Sequence, residues 1–165
     1  MSGESNTMVL EAIRETQTAY SKLTLIVGTM GSGKTAMLQR VATELGYPRI
    51  NLNLLLSRRL LDLNRRQRTL QVEQIATEII TEHLVSGVCV DNTELLFDSS
   101  LKLNPMRLLQ ELSRNRVIVA SWNGRYESGR LTYANPGHPD EFSQQSHGYP
   151  IVTIKDSGAE LHLTA

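Results

Sequence analysis

The chain has a single cysteine, Cys89, so no disulfide framework can form within it and its core must come from apolar burial. Only 5% of its 165 residues are aromatic, too few for an extended base-stacking platform. Neither charge is in excess, with 17 Lys and Arg against 17 Asp and Glu. A protein that wraps nucleic acid over a wide face is normally basic, so any such contact here must be local. No apolar run nears the roughly 20 residues that cross a bilayer, and no membrane association is expected. The opening residues Met1-Ser2-Gly3-Glu4-Ser5-Asn6 contain no basic-then-apolar leader. What is present is globular: 40% hydrophobic and 21% charged residues. These features predict one soluble, intracellular domain over residues 1–165.

The apolar pattern alternates between strand and helix. Residues 1–20 predict an N-terminal helix with Val9, Ile13, Gln17 and Tyr20 on one face. Leu23 to Val27 predicts a buried strand, and Lys34 to Leu45 a helix stopped by Gly46. Arg49 to Asn53 predicts a second strand, and Leu54 to Arg68 an irregular helical stretch. Leu70, Ile75, Ala76, Ile79 and Leu84 mark a further helix. Gly87 to Val90 predicts a short buried strand ending at Asp91. Asn104 followed by Pro105 is a helix start, with Met106, Leu108, Leu109 and Leu112 as its apolar face. Val117 to Ala120 predicts a fourth strand, which closes a core of residues 21–123. Residues 124–150 are rich in Gly, Asn, Pro, His and Ser and predict a long loop, with a short helical piece at Asp140 to Gln145. In residues 151–165, two apolar runs flank Asp156-Ser157-Gly158 and predict a terminal β-hairpin.

Gly28-Thr29-Met30-Gly31-Ser32-Gly33-Lys34-Thr35 matches G-x-x-x-x-G-K-[ST] in full, between a predicted strand and a predicted helix. Glycines let such a loop turn its N–H groups onto phosphate oxygens, and the following helix adds its positive end. Gly28, Met30, Gly31, Ser32 and Gly33 are therefore candidates for cradling ATP. Lys34 would reach the β- and γ-phosphates, and the Thr35 hydroxyl would ligate Mg2+. Asp91, at the end of a predicted strand, suits the role of holding a Mg2+-bound water. Many ATPases place Glu directly after that Asp; here Asn92 follows, and Glu94 is the candidate base. Asn123 follows the fourth predicted strand and is a candidate sensor of the terminal phosphate. The architecture expected is α/β: a three-layer α/β/α P-loop NTPase with a mostly parallel sheet and no helical lid domain.

Arg58, Arg59, Arg65, Arg66 and Arg68 lie within eleven residues, opposed only by Asp62. They form a solvated helix face, a protein interface or a local DNA contact. Arg114, Arg116, Arg125 and Arg130 are candidates for an arginine finger acting in trans, which requires a homo-oligomer. His138 and His147 lie near Asp140 and Glu141, but the spacing matches no standard zinc pattern. Cys89, inside a buried strand, is assigned to core packing.

Two resemblances follow from these residues. Gly28 to Thr35 together with Leu45-Gly46-Tyr47-Pro48-Arg49-Ile50 resembles the start of a small-molecule kinase of the shikimate kinase type. Those enzymes place a substrate-binding Asp after the second strand, where this chain has Asn51 and Asn53. The second resemblance runs from the P-loop to Glu141. Val90-Asp91-Asn92-Thr93-Glu94-Leu95-Leu96-Phe97, Leu112-Ser113-Arg114-Asn115-Arg116-Val117-Ile118-Val119, Ser121-Trp122-Asn123-Gly124 and Leu131-Thr132-Tyr133-Ala134-Asn135-Pro136-Gly137-His138-Pro139 resemble the small P-loop BrxF family of BREX bacteriophage-defence systems. The resemblance implies a bacterial, cytoplasmic nucleotide-binding protein working beside other BREX proteins. The sequence reading is thus an ATP- and Mg2+-dependent ATPase of the AAA-like or STAND-like kind, slow when isolated and stimulated by assembly. Its alternatives are a nucleotide-dependent assembly module with negligible hydrolysis and a small-molecule kinase.

Overall fold

The computed structural model describes residues 3–82, 86–133, 143–145, 148–155 and 158–163. Helix α1 spans Gly3–Glu15 and is followed by a 3-10 turn at Thr16–Thr18. Strand β1 (Leu23–Gly28) leads through the glycine loop into α2 (Lys34–Leu45), and β2 (Arg49–Asn51) leads directly into α3 (Leu52–Leu60). Then come α4 (Arg65–Thr81), β3 (Gly87–Asp91), α5 (Pro105–Leu112) and β4 (Val117–Glu127). The chain continues as β5 (Arg130–Tyr133), β6 (Ser143–Gln145), β7 (Pro150–Lys155) and β8 (Gly158–Leu163).

The sheet order is β2-β3-β4-β1-β7-β8. Every neighbouring pair from β2 to β7 is parallel, and β8 returns antiparallel to β7. The all-apolar strands predicted from the sequence are buried on both faces, as a parallel sheet requires. Leu23, Leu25 and Val27 pack toward α3, α4 and α5, while Ile26, Val119 and Val152 pack toward α1 and α2. The fold is therefore a three-layer α/β/α sandwich around a mostly parallel sheet. Cys89 is fully buried in β3, and burial pushes its thiol up to about 12, so it remains protonated packing material.

Several boundaries differ from the sequence reading, each for a local reason. The N-terminal helix ends at Glu15, and the backbone is extended by Ala19. Gln17 is thus off the helix, and Tyr20 is 78% exposed with the Arg114 guanidinium 5.2 Å above its ring. β2 stops at Asn51 because that side chain accepts a hydrogen bond from the Leu54 N–H, capping α3. The stretch Leu54 to Arg68 is two helices, because Asn64 and Gln67 form a reciprocal capping box that starts α4. Leu70 is 73% exposed on α4, and Leu84 lies outside the described residues.

The largest difference from the expected long loop over 124–150 lies in its described residues 124–133 and 143–145. β4 does not end near Asn123 but runs to Glu127 and turns back as β5, with Gly124 opposite Tyr133 and Glu127 opposite Arg130. Ser128 and Gly129 both have positive φ, 53° and 75°, as a two-residue type I′ turn needs. The hairpin is anchored by aromatic packing rather than by composition. The Trp122 indole donates to the Thr132 carbonyl at 3.1 Å, and Phe97 stacks on Tyr133 and meets Trp122 edge-on. Ser143–Gln145 is a strand paired to β5 instead of part of a helix. Asp140, Glu141, His138 and His147 lie outside the described residues. Among the described residues after Asn123 there is no helix, and the expected terminal hairpin is present as β7 and β8. No helix among the described residues is long and apolar enough to cross a membrane.

A Cβ on Gly124 would lie 1.9 Å from the Thr132 carbonyl oxygen. Gly124→Ala should destabilise the fold by about 1–3 kcal/mol, because the clash is with backbone and cannot be relieved by a rotamer change. Urea unfolding of the variant checks this; a midpoint equal to that of the wild type would show that the hairpin is not held as described.

Candidate functional site

The site forms where β1 ends and α2 begins. Gly31 and Gly33 adopt φ of 78° and 109°, values an L side chain rarely tolerates. A Cβ on Gly28 would lie 2.3 Å from Ser32 Oγ and 3.1 Å from the Ile154 carbonyl oxygen, so a side chain there would crowd the loop. This backbone concavity, followed by the start of a 12-residue helix, suits an anion. Ser32 Oγ is buried within it without a hydrogen-bond partner.

Lys34 is 8% exposed, and its ammonium donates to the Thr29 carbonyl at 2.8 Å across the loop. Burial pulls its pKa below the ordinary lysine value, while the nearby charges of Glu94 and Asp91 oppose that shift. Asp91 is 2% exposed at the end of β3. Its Oδ2 accepts from Thr35 Oγ1 at 2.8 Å and lies 3.5 Å from Arg49 Nη1. Its Oδ1 accepts from the Asn92 N–H at 2.9 Å. An orphaned Ser32 hydroxyl, a buried ammonium and a hydroxyl–carboxylate pair are the donor set that a Mg2+-bound polyphosphate requires. The residues fit both groups.

Beyond Asp91 the backbone turns through Asn92, at φ 54°, into a 3-10 turn at Glu94–Phe97. Thr93 Oγ1 donates to the Ser121 carbonyl at 2.6 Å and ties this turn to β4. Asn53 grips it from the other side. Its Nδ2 donates to Glu94 Oε2 at 2.8 Å, its Oδ1 accepts from the Leu95 N–H at 2.8 Å, and its own N–H donates to the Asn92 carbonyl. The Glu94 carboxylate is thereby held at a set orientation on the Lys34 side of the site.

The structure thus gathers Gly28, Gly31, Ser32, Gly33, Lys34, Thr35, Asp91 and Glu94 into one place. Met30 is 84% exposed on the loop's outer rim. Asn123 lies beside the loop, paired in register with Gly28, but inside β4 rather than at its end. Arg114 and Arg116 precede the first residues of β4, at the sheet edge opposite the loop, so within one chain they are remote from it. Arg125 lines the cavity beside the loop, and Arg130 lies opposite Glu127 on the hairpin. Of the five clustered arginines, Arg59 pairs with Glu78 at 2.6 Å and Arg68 donates to the Leu60 carbonyl. Arg58, Arg65 and Arg66 are exposed.

Sequence reasoning missed Asn53 and Arg49 as site residues. Asn53 stands in the first turn of α3 and meets the Glu94 turn only through tertiary packing. Arg49 reaches Asp91 only because β2 pairs with β3 in the observed register, and no local pattern reports that.

No protein-family model and no curated protein sequence matches the chain. Among solved structures, PCH-2 from C. elegans aligns at 17% identity and a TM-score of 0.45, over 76% of this chain and 38% of that one. AMPPCP-bound DnaA from Aquifex aeolicus aligns at 17% identity and a TM-score of 0.46, over 94% of this chain and 48% of that one. The chain thus spans less than half the length of either.

Asn53→Ala should leave the Leu95 N–H and the Glu94 carboxylate without their partner and cost about 1–2 kcal/mol of stability. Asn53→Asp should cost at least as much, since it sets a second carboxylate against Glu94. Thermal unfolding distinguishes these from a neutral surface change, which would stay within about 0.5 kcal/mol.

Proposed function

We propose that the chain is an ATP-binding, Mg2+-dependent P-loop ATPase. The observation that carries this reading is the Thr35–Asp91 hydrogen bond beside a buried Lys34, at a loop whose Gly31 and Gly33 hold positive φ. Lys34 and the loop amides neutralise the β- and γ-phosphates. Thr35 and Asp91 hold Mg2+, which when bound offsets charge on the phosphate oxygens. Glu94, oriented by Asn53, accepts a proton from the attacking water, and Asn123 contacts the terminal phosphate or that water. Asn92 occupies the position where many ATPases carry their base, which places the burden on the more distant Glu94. This supports slow turnover in the isolated chain.

The open site supports completion by a second copy. Arg114 and Arg116, remote from the loop in their own chain, suit an arginine finger in trans, while Arg125 and Arg130 border the site on the hairpin side. The resemblance to the BrxF family supports a place among BREX proteins in the cytoplasm. Any DNA contact falls to Arg58, Arg65 and Arg66, because Arg59 and Arg68 are engaged within the protein. Asn92 also supports a second reading, an assembly module that binds ATP and barely hydrolyses it. A small-molecule kinase is less well supported, since Asn53 is engaged with Glu94 and Leu95 rather than open to an acceptor.

Lys34→Ala should weaken ATP binding by roughly 10- to 100-fold, the worth of a charge-assisted contact. Glu94→Gln should retain binding and lower phosphate release by about 100-fold or more. Unchanged slow release in Glu94→Gln would remove Glu94 as base and favour the assembly module. Light scattering with phosphate release in the same samples tests the shared site: mass and specific activity should rise together with protein concentration in ATP and Mg2+. A monomer of constant specific activity would count against it.

A further inference from the structure

The phosphate residues leave most of one cavity unused. It has a volume of about 800 Å3 and opens beyond the ends of β1 and β7, beside the extension of β4 from Gly124 to Glu127. Gly28 to Ser32 form one wall, the hairpin residues Arg125 and Tyr126 a second, and Thr153, Glu160 and His162 of β7 and β8 a third. Lys34, Thr35 and Asp91 do not line it.

Its position relative to β1 gives it a role. Asp91 lies at the end of β3, on the β4 side of β1, and β7 and β8 lie on the other side. A polyphosphate anchored at Lys34, Thr35 and Asp91 that crossed the loop above β1 would carry its attached group toward β7. The cavity lies at that exit, and its size falls within the range of small-ligand sites.

The chemistry of the walls suits a nucleoside. The Tyr126 and His162 rings meet edge-to-face, with centroids 5.0 Å apart and planes at 62°. Thr153 Oγ1 lies 3.1 Å from His162 Nε2 and holds that ring in place. Both rings are only partly buried, which leaves aromatic surface facing the cavity. A base gains from stacking on such a surface, whatever its identity. The Glu160 carboxylate and the Arg125 guanidinium supply an acceptor and donors for sugar hydroxyls or base edges. The two walls are hairpins rather than a helical lid, and each is tied into the sheet, β5 by the Trp122–Thr132 bond and β8 by full pairing with β7.

We infer that this cavity binds the nucleoside half of the nucleotide, with the base stacked against Tyr126 and His162. The inference rests on the proposed phosphate site. The test compares calorimetric affinities of ATP and inorganic tripolyphosphate, both with Mg2+, for the wild type, His162→Ala and Tyr126→Leu. The wild type should bind ATP more tightly than tripolyphosphate. Each variant should lose ATP affinity by about 5-fold or more, as a lost base stack implies, with tripolyphosphate affinity unchanged. Equal affinities in the wild type, or variants that weaken both ligands alike or neither, would overturn the inference while leaving the phosphate site intact. If the wild type binds neither ligand, the phosphate site itself falls, and this inference with it. A measurement on the wild type alone guards against misfolded variants. Photocrosslinking with 8-azido-ATP should label peptides within residues 124–133 or 150–163, and labelling confined elsewhere would overturn the assignment.

Discussion

The bond from Thr35 Oγ1 to Asp91 Oδ2 joins residues 56 apart in sequence and is the contact around which the site is organised. It ties the first turn of α2 to the end of β3, although β3 and β1 are not neighbours. β4 lies between them, so the distance between hydroxyl and carboxylate depends on the parallel register of β3 with β4 and of β4 with β1. Asp91 is nearly sealed from water, and its oxygens are satisfied by the Thr35 hydroxyl, the Arg49 guanidinium and the Asn92 N–H. A buried carboxylate without such partners would be costly, so the same contacts that orient it also make its burial tolerable.

The surrounding site distributes charge over a short distance. Lys34 loses hydration on entering the loop and is supported by the fields of Glu94 and Asp91. Glu94 in turn owes its orientation to Asn53, at the start of α3, and the turn that carries it owes its position to Thr93 on Ser121 of β4. The site is therefore assembled from β1, α2, β3, β4 and the β2–α3 junction. The sheet order brings these elements together, and the two helical layers keep water from their backs. The β4–β5 hairpin on one side of β1 and the β7–β8 hairpin on the other widen this end of the sheet into a cleft, with no helical lid among the described residues.

Much of this was legible in the chain. The loop glycines, the all-apolar strands and the caps at Gly46, Asn104 and Pro105 are local signals, and each acts locally. Parallel strands buried on both faces read as largely apolar runs, broken in β1 only by Thr24, which made β1, β3 and the start of β4 plain. The hairpin beyond Asn123 was obscured because Gly124, Ser128 and Gly129 resemble loop residues, while the forces that hold the ribbon act at a distance. Phe97 comes from another part of the chain, and Trp122 reaches a carbonyl ten residues on. The Ser128-Gly129 pair between Tyr126 and Leu131 was the one local trace of the turn. The Asn53–Glu94 clamp was hidden for the same reason, being a product of how β2 lies beside β3.

The proposed function requires that Gly28 to Thr35, with Asp91, form a working Mg2+-nucleotide site. A calorimetric titration of ATP into the wild-type chain, with Mg2+ and then with EDTA, tests it most directly. Saturable binding near one nucleotide per chain, weakening markedly when Mg2+ is removed, is the expected result. An absence of binding, or binding indifferent to Mg2+, would contradict it.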